Sequence, residues 1–273
     1  MNSEPRGPGA RLADGAREAM AAIQAMRGWL RQGRRAYGQA PWLFSGFTLM
    51  GSSTQLLGQS LQNWASDALA VGEEPVAISM ALMLAGLLLS VGSLLWLNVG
   101  LLRGAWIALG GRPPRLAELV RWQTAAMGRL LAVALLLLLL NLLIVATAGL
   151  AAGLVSLVHP LLAVVPLLIG TTLLGGLFVT QIFQLPLAVA AGLSPVATFR
   201  HGRTLMPSHG WQLLALSLSL SLIVLLPLGL ALLIAWPLAA GWLVAWPLAL
   251  CSLTAAYQEI VGAEDRTGLA GAA

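Results

Sequence analysis

Apolar residues fill most of the chain in long blocks, and short polar or Gly/Pro-rich stretches separate these blocks. The clearest block is residues 131–150, which contain ten Leu, two Val and one Ile. Twenty residues at about 1.5 Å per residue match a hydrocarbon core of about 30 Å, and within lipid a lone segment satisfies its backbone only as a helix. This block therefore predicts a transmembrane helix.

The same pattern predicts five further spans between residues 41 and 260. The weakest is residues 42–63, which are rich in Ser, Thr and Gln but are flanked by Trp42 and Trp64, as membrane interfaces favour. The predicted spans are residues 42–63, 77–102, 131–150, 161–189, 211–235 and 237–257. The predicted fold is an all-α, polytopic transmembrane bundle of about six spans, with short interfacial helices after the second and fourth spans.

The chain outside this membrane domain has a different pattern. Residues 1–9 are polar and rich in Gly and Pro, which predicts a disordered start, and residues 261–273 predict a flexible tail. Between the start and residue 40, apolar positions recur at helical spacing opposite an Arg-rich face, which predicts an amphipathic helix lying on a membrane surface. Its apolar positions are Leu12, Ala16, Ala19, Ile23, Met26 and Leu30.

Two alternatives for this Arg-rich helix stay open. One is a solvated helix that packs on the protein's own loops. The other is an organelle transit peptide, which would also be amphipathic and rich in Arg but is poor in acidic residues. Glu4, Asp14 and Glu18 disfavour the transit peptide.

The fifteen basic residues are all Arg, and their positions predict the orientation of the bundle. Seven precede the first span, five follow the second, two follow the fourth and one lies in the tail. With six spans all of them fall on one side, so the positive-inside rule places both termini in the cytoplasm. Because these Arg flank apolar blocks, we expect anionic lipid headgroups as partners and no nucleic acid. The expected headgroup contacts are Arg112, Arg115, Arg200, His201 and Arg203.

Composition excludes several classes of protein. The chain is 58% hydrophobic and only 9% charged, which leaves too little polar surface for a soluble globule of 273 residues. The single cysteine excludes an intrachain disulfide, and the three His have no metal-site spacing with acidic residues. No nucleophile has a positioned base. We therefore predict no catalytic residue, no cofactor and no metal, and a protein that is not an enzyme.

A polar stripe in the first span is the strongest candidate for an interior face. Its residues follow spacings of three and four, which places them on one side of a helix. They are Ser45, Thr48, Ser52, Gln55, Gln59 and Gln62, with Asn98, Asn141, Gln181 and Gln184 as the expected partners on other spans. Such a face either holds helices together or lines a polar cavity.

A weak internal repeat relates two parts of the chain. In each part a span is followed by a Gly/Pro turn, a short basic helix, a glycine and another span, with the turns at Gly111 and Gly192. The similarity lies in the pattern rather than in the residues. Such parallel repeats occur in transporters and also in bundles with no transport role.

At these two turns the chain resembles bacterial six-helix membrane proteins related to the membrane domain of some glycerophosphodiester phosphodiesterases. The resemblance covers about residues 40–262 and rests on three motifs: Gly-Arg-Pro-Pro-Arg-Leu-Ala-Glu-Leu at 111–119, Leu-Ser-Pro-Val-Ala-Thr-Phe-Arg at 193–200 before Gly210-Trp211, and Ala-Tyr-Gln-Glu at 256–259. It implies a stand-alone, non-catalytic membrane domain of uncharacterised role in the inner (plasma) membrane of a bacterium.

Two functions are compatible with these features of the sequence. The first is a non-enzymatic membrane protein that acts as a scaffold or assembly partner. The alternative is a carrier for a neutral small solute or a lipid. Ion-coupled transport is disfavoured because the predicted spans hold no Asp, Glu or Arg at depth.

Overall fold

A computed structural model describes residues 8–72, 75–233 and 240–269 of the chain. All regular secondary structure in these residues is helical, which confirms the predicted all-α class. The helices are α1 (Pro8–Gly38), α2 (Pro41–Val71), α3 (Val76–Leu109), α4 (Leu116–Val120), α5 (Thr124–Ser156), α6 (Val164–Thr180), α7 (Gln184–Val189), α8 (Pro195–Leu233) and α9 (Trp242–Ile260), with a 3₁₀ helix at Pro160–Ala163. The predicted disordered start lies mostly outside the described residues, as does the end of the predicted tail.

Four helical segments are long and apolar enough to cross a membrane, so the chain is a membrane-embedded helical bundle. They are Val76–Leu109, Thr124–Ser156, Pro160–Thr180 and Pro195–Gly229. The helices α2 and α9, which cover the first and sixth predicted spans, are not among these four. Both are less apolar, because α2 carries many Ser, Thr and Gln and the last turns of α9 contain Thr, Tyr, Gln and Glu.

The predicted fourth span is broken in the structure. α6 ends at Thr180, a turn follows, and α7 begins at Gln184. Pro186 explains the break, because inside a continuous helix its ring would clash with a carbonyl one turn earlier and its missing N–H would leave a hydrogen bond unmade. The break places Pro186 in the first turn of a new helix, where proline is tolerated.

The second short basic helix and the predicted fifth span form one element, α8, with a kink between them. At His209 the backbone leaves helical geometry, with φ −128° and ψ 17°. Pro207 lies two residues before, and prolines within helices commonly cause such kinks. In the internal repeat, the segment after α4 corresponds to this kink. There the helix ends completely, since residues 121–123 are not helical. Both preceding turns use a glycine at positive φ, Gly111 at 86° and Gly192 at 69°.

The C-terminal half of α3 forms the centre of the core. Every residue from Val99 to Ala108 is buried, surrounded chiefly by α2, α9, α4 and α1. Glycines bring α2 and α3 into backbone contact further along the pair. A Cβ placed on Gly58 would lie 2.7 Å from the Gly86 carbonyl oxygen, and a Cβ on Gly86 would lie 2.6 Å from the Gly58 carbonyl oxygen. Small residues allow this close helix packing, as is common within membranes.

α1 packs against the rest of the bundle, mainly along α9 and also on α8 and α3. Its buried stripe is Ala22, Trp29, Gly33 and Ala36, whereas Ile23, predicted on the apolar face, is 42% exposed. The buried stripe is therefore rotated from the predicted one. The reason is close packing: a Cβ on Gly33 would lie 2.6 Å from the Ser252 Cα, so glycine rather than a large apolar residue forms the contact.

Candidate functional site

The polar stripe of α2 does not act as one surface in the structure. Ser45 accepts or donates a 2.8 Å hydrogen bond with the Tyr37 hydroxyl of α1, and the buried Thr48 donates to the Phe44 carbonyl of its own helix. Ser52 and Gln55 are half-buried, and Gln59 is exposed. The stripe therefore contributes separate contacts rather than a continuous interior face.

One cross-helix contact of the stripe is well defined. Gln62 Nε2 donates to Ser90 Oγ of α3 at 3.1 Å, and Ser90 Oγ donates to the backbone oxygen of Gln55 at 3.3 Å. Ser90 was not among the expected partners. The signal that could have found it is its position one turn after Gly86, where α2 and α3 approach most closely.

The four expected amide partners lie apart from this stripe. Asn98 and Asn141 donate to carbonyls one turn earlier in their own helices, those of Leu94 and Leu137. Gln181 is buried at the end of α6 and donates to the Phe199 carbonyl of α8. Gln184 is half-buried, and its side-chain oxygen has no hydrogen-bond partner within the described residues.

The five expected headgroup residues lie in two places, at the turn before α4 and in the first turns of α8. Arg112 forms a 2.7 Å ion pair with Glu118, and Arg115 is exposed at the start of α4. On α8, Arg200 and Arg203 are exposed, and Arg203 lies over the Phe199 ring. The fifth residue, His201, is half-buried. Arg115, Arg200 and Arg203 are thus exposed, whereas Arg112 already has an anionic partner.

Glu118 fixes the geometry of the first loop. Its carboxylate accepts a 2.7 Å hydrogen bond from the Arg115 backbone N–H and pairs with the Arg112 guanidinium. Partial burial alone would raise the pKa of this carboxyl, but the hydrogen bonds from Arg115 and Arg112 outweigh it and hold the pKa below its ordinary value of 4.5. Glu118 is therefore a carboxylate at neutral pH and closes the turn before α4.

Arg103 is a buried cation whose role the sequence did not reveal. Only 2% of the residue is exposed, and its guanidinium donates four hydrogen bonds. The acceptors are the backbone oxygens of Leu269, Glu118 and Arg121 and the side-chain oxygen of Gln123. Arg103 thus joins the C-terminal end of α3 to the loop around α4 and to the chain's C-terminal segment.

The C-terminal segment up to Leu269 packs on the bundle. Leu269 is 1% exposed, and its N–H donates to the Asp265 carboxylate. Thr267 donates to the Val189 carbonyl at the end of α7 at 2.8 Å. The part of the predicted tail that the structure describes is therefore held by specific hydrogen bonds.

A groove lies between α6 and α8, with a volume of about 880 Å³. Its walls are residues of α6 between 172 and 179, residues of α8 between 206 and 221, and Glu18 and Ala21 of α1. Gly175 and Gly176 add no side chains to the α6 wall, and a Cβ on either would meet no atom within 4 Å, so the groove is open to the side at this point. Around it α5, α6 and α8 expose many large apolar side chains.

Polar groups occur along the groove at defined points. At the kink, Ser208 Oγ and His209 Nδ1 share a 2.8 Å hydrogen bond. Ser217, two turns further along α8, is 1% exposed, and its hydroxyl has no hydrogen-bond partner within the described residues. Buried hydroxyls are normally hydrogen-bonded, so Ser217 indicates a place for an additional polar atom.

The described residues contain no group of three or more His, Cys, Asp or Glu that could hold a metal ion. The groove thus offers a long apolar wall with a few hydrogen-bonding groups, which suits binding of an amphiphile. Comparison of the chain with known protein families, curated proteins and solved structures found no match.

Proposed function

We propose that this protein is a non-enzymatic, six-span membrane protein that binds a membrane lipid in the groove between α6 and α8. The sideways opening of this groove carries the proposal. It favours the lipid alternative over a scaffold, because a scaffold needs no ligand groove. It also favours a lipid over a water-soluble solute, because the groove opens on the apolar flank of helices that are long enough to cross a membrane.

The length of the groove supports a phospholipid. From Met206 to Ser221 the groove follows α8 for about 22 Å at 1.5 Å per residue. One leaflet of a bilayer, including its headgroups, is about 20–22 Å thick. The groove is therefore long enough for one lipid with its headgroup near the kink at His209 and a chain along Leu214 and Leu218. Both leucines line the groove and are at least partly exposed.

The positions of the arginines give the orientation of the proposed six-span protein in the membrane. Six spans, with α2 as the first and α9 as the last, place every Arg on one side, and the positive-inside rule assigns that side to the cytoplasm. The exposed Arg residues of α1 then lie on the cytoplasmic side, while the opposite face of α1 packs on α9 and α8. Arg200 and Arg203 do the same next to the groove, as contacts for anionic lipid. The resemblance to bacterial six-helix proteins supports a bacterial plasma membrane as the location in this proposal.

Lipid retention tests the proposed function. The purified protein, after extensive detergent exchange, is expected to keep phospholipid that mass spectrometry detects at a fixed ratio to protein. Gly176→Leu should release it, because the added side chain fills the groove and its Cβ meets no atom within 4 Å. Gly149→Leu is the matched control, since Gly149 of α5 is also exposed with open space around its Cβ.

Either of two results would reject lipid binding in the groove. One is wild-type protein without retained phospholipid, and the other is equal retention by the two glycine variants. If Gly176→Leu instead kept its lipid and lost a stable protein partner on extraction from native membranes, the scaffold function would replace the proposal.

A further inference from the structure

A second pocket lies between α2, α3, the end of α4 and the loop that follows α4. Its volume is about 340 Å³, within the range of small-molecule sites. Most of its lining is apolar, from Leu88, Leu89 and Trp96 of α3 to Val120 at the end of α4 and Trp122 of the loop. Leu88 is 65% exposed and Trp122 60%, so the pocket opens on the outer surface of α3.

Hydrogen bonds to α3 hold the loop side of this pocket in place. Trp96 Nε1 donates to the Val120 carbonyl at 2.9 Å. The Arg103 guanidinium donates to the Arg121 carbonyl at 2.9 Å and to the Gln123 side chain at 2.7 Å. These three hydrogen bonds hold the backbone of Val120 and Arg121 before Trp122 and the side chain of Gln123 after it. The pocket is preformed, which lowers the cost of binding.

The chain segment that borders the pocket carries positive charge. Arg121 stands between the two lining residues Val120 and Trp122, is exposed, and has no hydrogen-bond or ion-pair partner for its guanidinium within the described residues. Arg115, which is also exposed, immediately precedes α4. The buried Arg103 donates a hydrogen bond to the Glu118 carbonyl of the same helix. The carboxylate of this loop, Glu118, is already paired with Arg112. The loop therefore presents unpaired positive charge beside an apolar pocket.

We propose that this pocket binds an anionic phospholipid, with an acyl chain between Leu88 and Trp122 and the phosphate on Arg121. The apolar pocket continues onto the exposed surface of α3, a segment long enough to cross a membrane, so the surrounding solvent is lipid. Trp96 and Trp122 sit at the apolar-to-cationic border, where Trp is favoured at membrane interfaces. Basic pockets beside transmembrane helices recognise anionic headgroups. This site shares no residue with the groove between α6 and α8 and does not depend on it.

Quenching of Trp fluorescence by brominated lipids tests the site. The full chain is placed in phosphatidylcholine nanodiscs that contain increasing fractions of brominated phosphatidylglycerol or, in parallel, brominated phosphatidylcholine. Subtracting the signal of Trp122→Phe isolates the contribution of Trp122. We expect half-maximal quenching of Trp122 at a clearly lower fraction of phosphatidylglycerol than of phosphatidylcholine.

Substitutions at Arg121 separate charge from structure. Arg121→Gln keeps the backbone carbonyl that Arg103 binds and should weaken phosphatidylglycerol binding about fivefold, the ratio that corresponds to about 1 kcal/mol per basic residue near the surface. Arg121→Lys should retain most of the preference. Arg31→Gln, on the exposed side of α1, is the control for a loss of charge elsewhere.

The proposal fails if Trp122 is quenched equally by the two brominated lipids, because the pocket then takes any acyl chain. It also fails if Arg121→Gln weakens phosphatidylglycerol binding no more than Arg31→Gln does. Because the readout is local to Trp122, loss of lipid from the groove between α6 and α8 would leave it unchanged.

Discussion

The Arg103 Nε donates a 2.8 Å hydrogen bond to the carbonyl oxygen of Leu269, a residue 166 positions later in the chain. The same guanidinium holds the backbone of the loop around α4. One buried cation therefore joins the central helix, a loop between two membrane-spanning helices and the C-terminal segment. The four hydrogen-bond acceptors are neutral oxygens, and the carboxylates of Asp265 and Glu118 also stabilise the buried charge.

Replacing Arg103 should loosen this end of the bundle. Arg103→Leu leaves the carbonyls of Glu118, Arg121 and Leu269 without their donor, and we expect a loss of about 2–4 kcal/mol in unfolding free energy. Thermal unfolding in detergent measures the loss, and limited proteolysis should cut the C-terminal segment sooner. Arg200→Leu, which removes an exposed arginine, should change neither. Equal melting of both variants would show that the hydrogen bonds of Arg103 contribute little.

Gly33 should be the critical contact between α1 and α9. A larger side chain there collides with the Ser252 backbone, so Gly33→Leu should detach α1 and speed trypsin cleavage at Arg27 and Arg31. Gly28→Leu is the matched control, because a Cβ on Gly28 meets nothing within 4 Å. Both substitutions raise helix propensity similarly. If the two variants are cleaved at the same rate, α1 does not depend on this contact.

Two glutamines of α2 should differ in their contribution to stability. Gln62 donates across the helix pair to Ser90, whereas Gln59 is exposed. We expect Gln62→Leu to cost about 0.6–1.7 kcal/mol, the range for interhelical hydrogen bonds in membranes, and Gln59→Leu to be neutral. Unfolding in detergent measures both. A larger cost for Gln59→Leu would mean that Gln59 has a partner in the membrane, such as a second chain.

The ion pair of Glu118 should make stability depend on pH. Its pKa is lowered in the folded protein, so its contribution is complete above the ordinary pKa of 4.5 and disappears as the pH falls through the folded value. Because the pair is partly exposed, the contribution is about 0.2–1 kcal/mol. Glu118→Gln should therefore melt below the wild type at pH 7 and alongside it at strongly acidic pH. A constant difference across this range would contradict the ion-pair origin.

Cysteine labelling should decide the number of spans. With six spans, a cysteine at Ala70 reacts with an impermeant reagent from outside, whereas cysteines at Gln32 and Arg203 react only after permeabilisation. All three positions are exposed, and the native Cys251 is fully buried, so its background should be low. Labelling of residue 32 from outside would remove α2 from the set of spans.

The helix break after Thr180 shows that local hydropathy does not predict where an apolar segment changes direction. Hydropathy predicted one span over residues 161–189, yet the chain breaks after Thr180, where Pro186 and the packing of α7 override the apolar composition. The α1 stripe is a similar case. Helical spacing predicted Ile23 inside, but the interface with α9 selects small residues such as Gly33, because close backbone approach excludes larger ones.

From the sequence alone follow the all-α class, the apolar membrane segments and the two glycine turns, because each depends on residues that are neighbours along the chain. Tertiary structure decided the rest. In the folded chain Arg103 is buried and joins three segments, and Gln62 donates a hydrogen bond to Ser90. A groove lies between α6 and α8, and a pocket lies between Trp122 and α3. These features join residues far apart in the chain, and helical periodicity defines only which face of a helix is apolar. It does not specify which neighbour packs there or which space stays open.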